Sequence, residues 1–92
     1  MNSYELTLVL PAKNKAKEKT YTEKLEKIVK VAEGKVVKKE SWGEIELSYP
    51  IKKETAGFFI HFILELDSKA VKAVDEKLRV DDELLRYLMI KK

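Results

Sequence analysis

From Ser3 to Leu10 apolar and polar positions alternate. Tyr4, Leu6, Leu8 and Leu10 share one face, and Glu5, Thr7 and Val9 share the other. A period of two predicts a half-buried strand, and Pro11, with no N–H to give a ladder, ends it. After a lysine-rich connector from Ala12 to Lys19 the period becomes helical. Tyr21, Leu25, Ile28 and Ala32 fall on one side, with Val29 beside them. Thr20 and Glu23 stand at capping-box spacing, and Asn14 offers a start one turn earlier. Gly34 is placed to end the helix in the left-handed conformation. Glu23 precedes Lys27 by one turn, so the lysines of this segment read as a solvated face.

Lys35 to Glu40 starts a second strand, and Ser41-Trp42-Gly43 marks a bend or bulge. Trp42 reads as a lid over the core rather than a stacking platform. The strand resumes with Ile45, Leu47 and Tyr49 on one face against Glu44, Glu46 and Ser48 on the other, up to Pro50 and Ile51. A charged face and a proline both suit an edge strand. Lys52 to Gly57 reads as a turn. Phe58, Ile60, Phe62, Leu64 and Leu66 then alternate with Phe59, His61, Ile63 and Glu65. Both faces are largely apolar, which places this strand at the centre of a sheet. Asp67 or Ser68 caps a second helix carrying Ala70, Val71, Val74 and Leu78. After the acidic break Asp81-Asp82-Glu83, a last strand runs from Leu84 to Ile90. Its consecutive Leu88, Met89 and Ile90 leave its two faces unassigned.

The order strand–helix–strand–strand–helix–strand predicts an α+β, ferredoxin-like βαββαβ domain over residues 1–92, an antiparallel four-stranded sheet with both helices on one face. The first and third strands should be inner, the second and fourth at the edges. The face that the helices leave bare should then carry Thr7 and Val9, Phe59, His61 and Ile63, and either Leu88 with Ile90 or Tyr87 with Met89. An open apolar surface of this kind marks an interaction site.

Composition narrows the chemistry. The 92 residues suffice for one domain with a core of its own. There is no cysteine, so disulfides and thiolate metal sites are excluded, which fits a reducing compartment. The opening MNSYELTLVL has neither the basic region nor the cleavage site of a signal peptide. No apolar run approaches the roughly 20 residues that span a membrane. Nineteen basic against sixteen acidic residues leave a net charge of +3, a modest bias toward polyanions.

Catalytic constellations are sparse. With one histidine and no cysteine, a His-rich zinc site or a Cys/His pair is excluded. His61 lies between Phe59 and Ile63 with no orienting carboxylate placed by spacing, which suits packing better than general-base work. The acidic break suits a solvated turn better than a metal cluster. The first strand–helix loop, PAKNKAK, lacks the arginine and glycine of small phosphatases that share this topology. The third strand matches the RNA-recognition-motif pattern poorly, because Phe59 stands where a small residue belongs and Ile60 where an aromatic belongs. No cofactor and no small-molecule substrate are expected.

From Tyr4 to about Lys91 the chain resembles the bacterial small-subunit ribosomal protein number six family. The resemblance rests on Tyr4-Glu5 opening the first strand, on Gly34 ending the first helix, and above all on Gly43-Glu44-Ile45-Glu46-Leu47-Ser48-Tyr49-Pro50-Ile51-Lys52 with Gly57-Phe58 following. The chain departs from the family pattern at Ile45, where a basic residue is usual, and at Asn2 and Ser3, which replace the basic residue common after the initiator methionine. The resemblance implies a non-enzymatic, cytoplasmic, ribosome-associated protein. It implies binding to the central domain of small-subunit ribosomal RNA as a heterodimer with ribosomal protein eighteen of the same subunit. On this reading Lys38, Lys39, Lys52, Lys53, Arg79, Arg86, Lys91 and Lys92 are expected phosphate contacts, and Val9, Phe59, His61, Ile63 and Leu88 the expected partner face. The other reading of the same pattern is a stand-alone module that self-associates through its open sheet.

Overall fold

The computed structural model describes residues 2–81 and 84–92, with the backbone alone at Asn14 and Lys15. Asp82 and Glu83 of the expected acidic break lie outside the described residues. Strand β1 (Asn2–Pro11) leads through a 3-10 segment (Ala12–Lys17) into helix α1 (Glu18–Val31). A long hairpin follows, β2 (Lys35–Ile51) and β3 (Glu54–Leu66), then helix α2 (Ser68–Arg79) and β4 (Arg86–Lys91). The strands form one antiparallel sheet in the order β2-β3-β1-β4, with β3 and β1 inner as the alternation predicts.

The core lies between the sheet and the helices. Tyr4, Leu6, Leu8 and Leu10 of β1 meet Ile60, Phe62, Leu64 and Leu66 of β3, and all eight are buried. Tyr21, Leu25 and Val29 press down from α1, and Val74 and Leu78 from α2. The register puts Met89 beside Leu6 and Tyr87 beside Leu8, so Tyr87 and Met89 are the core side of β4. That leaves Leu88 and Ile90 for the open side.

Several local expectations give way to a different physical solution. Helix α1 begins at Glu18 after the 3-10 turn. Lys17 occupies its N-cap and its side chain makes no capping bond, so the Thr20–Glu23 capping box does not form. Thr22 Oγ1 instead donates to the Glu18 carbonyl inside the first turn. The left-handed residue after α1 is Glu33, at φ 62°. The Gly34 N–H reaches the Val29 carbonyl at 2.9 Å and that of Glu33 reaches Lys30 at 3.0 Å, the paired bonds of a Schellman cap. Gly34 is needed for clearance, because a Cβ there would run into the Leu66 side chain and the Glu65 carbonyl. Asp67 is the N-cap of α2, accepting from the Lys69 N–H at 3.0 Å.

The hairpin turn is shorter than expected. Ile51 pairs with Glu54, so only Lys52 and Lys53 lie between the strands, at φ 49° and 69°. Two successive left-handed residues match the twist of antiparallel strands, although asparagine and glycine are the usual occupants. Below the tip the ladder breaks between Glu46 and Ile51, where Pro50 has no N–H to contribute. The strand thereby bends toward β4. Arg86 donates to the Tyr49 hydroxyl at 2.8 Å, and Lys52 Nζ donates to the Leu84 carbonyl at 3.1 Å. β4 starts only at Arg86; Leu84 and Leu85 precede it as buried, irregular chain.

Candidate interaction surface

Opposed residues of antiparallel strands share a face, so the register draws the open side of the sheet as three rows. Lys38, Ile63, Glu5 and Ile90 make the first row, and Glu40, His61, Thr7 and Leu88 the second. Gly43, Phe59, Val9 and Arg86 make the third. Four of the five expected partner-face residues, Phe59, His61, Ile63 and Leu88, therefore present surface together. Val9 is on the same face but only 5% exposed. The cause is Gly57: a Cβ there would lie 2.6 Å from Val9 Cγ1 and 3.3 Å from Phe59 Cε1. Val9 and Phe59 close over the bare glycine backbone, and Val9 offers nothing to a partner.

Leu88 and Ile90 are about half exposed on the β4 side of this face, at 55% and 49%. Ile45 and Trp42 are exposed on the β2 side. Trp42 is not a lid over the core. Ser41 faces Ile60 in the core row, so the next side chain, Trp42, turns to the open face, and the slip between Ser41 and Gly43, with Gly43 at φ 81°, brings Gly43 to the same face. There it lies flat on the His61 ring, with centroids 4.6 Å apart and planes at 11°. Its Nε1 donates to Glu40 Oε2 at 3.2 Å, and Lys38 Nζ lies 2.8 Å from Glu40 Oε1. Lys38 first, and then the indole, hold the Glu40 carboxyl below the usual carboxylate range. Thr7 Oγ1 and His61 Nδ1 are hydrogen-bonded at 3.0 Å. A polar band thus crosses the middle of the face, between an apolar pair on β4 and a tryptophan on β2. Val36 faces the core opposite Leu64 and Lys38 the open side opposite Ile63, so the extra residue Val37 reverses the parity that would have turned Trp42 inward.

The expected phosphate contacts do not form one patch. Lys38 and Lys39 lie on opposite sides of β2, because Lys38 pairs with Ile63 in the open row and Lys39 with Phe62 in the core row. Lys39 Nζ is 2.6 Å from Glu18 Oε2 of α1. Lys39 first, with Ser41, lowers the Glu18 pKa. Arg79 lies on the helix side, 2.6 Å from Asp75 one turn earlier. Lys52, Lys53 and Arg86 gather at the hairpin end, with the Arg86 guanidinium 5.6 Å from the Tyr49 ring centroid. Lys91 pairs with Tyr4, and the Lys92 N–H bonds to the Ser3 carbonyl, at the other end of the sheet.

No group of three or more His, Cys, Asp or Glu side chains suited to a metal ion occurs among the described residues. No helix among them is long and apolar enough to cross a membrane.

Comparison with known proteins identifies the family and the fold. The family model described as Ribosomal protein S6 matches residues 3–91. The small ribosomal subunit protein bS6 of Pelagibacter ubique is 38% identical over 92 residues, covering 99% of this chain and 76% of the relative. That of Ruthia magnifica is 33% identical over 90 residues, covering 98% and 80%. The crystal structure of 30S ribosomal protein S6 from Thermotoga maritima superposes with a TM-score of 0.89 over 99% of this chain and 87% of that one. Its sequence identity is 22%, so this likeness speaks for the fold. From its first strand to its last, the chain belongs to the ribosomal protein S6 family.

Proposed function

We propose that this chain, a member of a structural and not an enzymatic family, binds small-subunit ribosomal RNA as one half of a heterodimer with ribosomal protein eighteen of that subunit. This places it on cytoplasmic ribosomes. The observation that carries the reading is the open sheet face, where Leu88, Ile90 and Trp42 stand exposed beside Phe59 and Ile63 with no helix above them. Burying such side chains against a partner supplies about 25 cal/mol per Å² of apolar area, and the Lys38–Glu40–Trp42 band adds directional contacts. The family relation supports the choice of partner.

The RNA contacts in this proposal centre on Lys52, Lys53 and Arg86 at the hairpin end, with Lys91 and Lys92 forming a second point of attachment. Lys38, Lys39 and Arg79 face carboxylates of their own chain and Lys52 donates to the Leu84 carbonyl, so these four reach phosphate by exchanging partners. The test is co-sedimentation with small subunits and with protein eighteen. Leu88→Asp is expected to abolish the heterodimer while leaving the fold intact, because Leu88 is exposed in the free chain. Phe59→Asp is expected to do the same, with some loss of stability from its packing over Gly57. Full partner affinity in Leu88→Asp would overturn the assignment. A tight homodimer of the isolated chain in sedimentation would favour the self-associating module instead.

A further inference from the structure

On the opposite side of the molecule from the open sheet, α1 and α2 touch only sparsely and leave a groove of about 660 Å³ between them. Its floor is aliphatic, formed by Ile28, Ala32, Ala73 and Val74. At its mouth Val31 is 84% and Val80 75% exposed, the two most exposed large apolar side chains among the described residues. Among the described residues three lysines rim it, Lys24, Lys27 and Lys77, against one carboxylate, Asp81. That carboxylate is already engaged, at 2.6 Å from Lys24 Nζ and 3.1 Å from the Tyr21 hydroxyl. Among the described residues lining the groove, Lys27 and Lys77 add positive charge beyond that pair.

We propose that this groove is a docking site for an acidic amphipathic helix of a partner protein. The groove runs along two turns of α1, from Lys24 to Val31, which at about 1.5 Å per residue is some 10 Å. That length takes apolar side chains at i, i+3 or i+4, and i+7 of an incoming helix. Glutamates or aspartates on either flank of its apolar stripe would meet Lys27 and Lys77. The chemistry disfavours RNA here. A phosphate backbone has no use for an aliphatic floor, and the groove holds neither an aromatic ring nor an arginine on which a base stacks. The site is separate from the sheet face, so it allows a second protein to be held at the same time.

The test is a titration of the intact chain with a fluorescein-labelled peptide of about four helical turns. Its leucines are spaced i, i+3, i+4 and i+7 and flanked by glutamates. A second peptide has lysines in place of the glutamates. Saturable binding of the acidic peptide alone is expected, with amide shift changes at Ile28, Val31, Ala73 and Val80. Lys27→Glu with Lys77→Glu should weaken it about tenfold or more. Ala73→Trp, which fills an exposed part of the groove, should block it with little change in thermal stability. Failure of the acidic peptide to bind, equal binding of both peptides, or shift changes at Thr7, His61 and Leu88 instead would overturn the proposal. So would displacement of the acidic peptide from the groove by a central-domain RNA fragment. None of these outcomes bears on heterodimer formation at the sheet face, which Leu88→Asp tests by itself.

Discussion

The indole of Trp42 lies parallel to the imidazole of His61, 4.6 Å away, on a face of the sheet that no helix covers. The stack joins the edge strand to the inner strand by side chains, at the point where a bulge interrupts the backbone ladder. It also places the only tryptophan of the chain on the proposed partner surface, where its emission reports the state of that surface.

His61→Ala removes the platform beneath the indole. The expected result is a shift of tryptophan emission to longer wavelength as water reaches the ring, with far-ultraviolet circular dichroism unchanged. Addition of the partner should reverse the shift. An unchanged spectrum would show that Glu40 alone holds the indole in place.

Acid should weaken the fold through two carboxylates. Lys39 and Ser41 lower the pKa of Glu18, and Lys38 and Trp42 lower that of Glu40. A depressed folded-state pKa contributes stability that is fully present above the unfolded value of about 4.3. That contribution is lost as pH falls through the folded value. The urea midpoint should therefore drop below about pH 4, and Glu18→Gln should remove part of that dependence. Glu40→Gln should have less effect on the midpoint, because Glu40 is more solvated, and it should leave Trp42 in place, since the amide oxygen still accepts from the indole N–H. A midpoint that stays level down to pH values well under the usual carboxylate range would contradict both assignments.

Lys53 sits at φ 69°, in a conformation that disfavours residues with a Cβ by roughly 1–2 kcal/mol. Lys53→Gly is expected to stabilise the isolated chain by about 1 kcal/mol, read as a higher urea midpoint. The same change removes one proposed phosphate contact, so the slope of log affinity against log salt for ribosomal RNA should fall by about one. A gain in stability with no change in the salt slope would keep the turn geometry and remove Lys53 from the RNA surface.

Gly34→Ala should be costly although Gly34 is not left-handed. The added methyl collides with the Leu66 side chain and with the Glu65 carbonyl, and forced repacking of this kind costs about 1–3 kcal/mol. Thermal unfolding measures it. A neutral result would mean that β3 shifts freely away from the end of α1.

Much of this architecture is a local property of the chain. A period of two and a period near 3.6 are visible in any short window, so the six main elements, their order and the two faces of β1 and β3 follow from residue spacing alone. The ferredoxin-like topology follows in turn, because two amphipathic helices joined to alternating strands have one sheet face to cover. The family motif around Leu47 and Tyr49 is equally local. What the tertiary structure decided depends on residues far apart in sequence or on a change of parity. The register slip at Val37 turned Trp42 to the open face. Gly57 let Phe59 and Val9 close together and removed Val9 from the surface. Pairing with β1 turned Leu88 and Ile90 outward where three consecutive apolar residues left the choice undecided. Glu18 engaged Lys39 from another element, and the Leu84 carbonyl engaged Lys52. An excess of lysine can be counted in a sequence. Which lysines keep their charge available to a partner depends on the carboxylates and carbonyls that folding brings beside them.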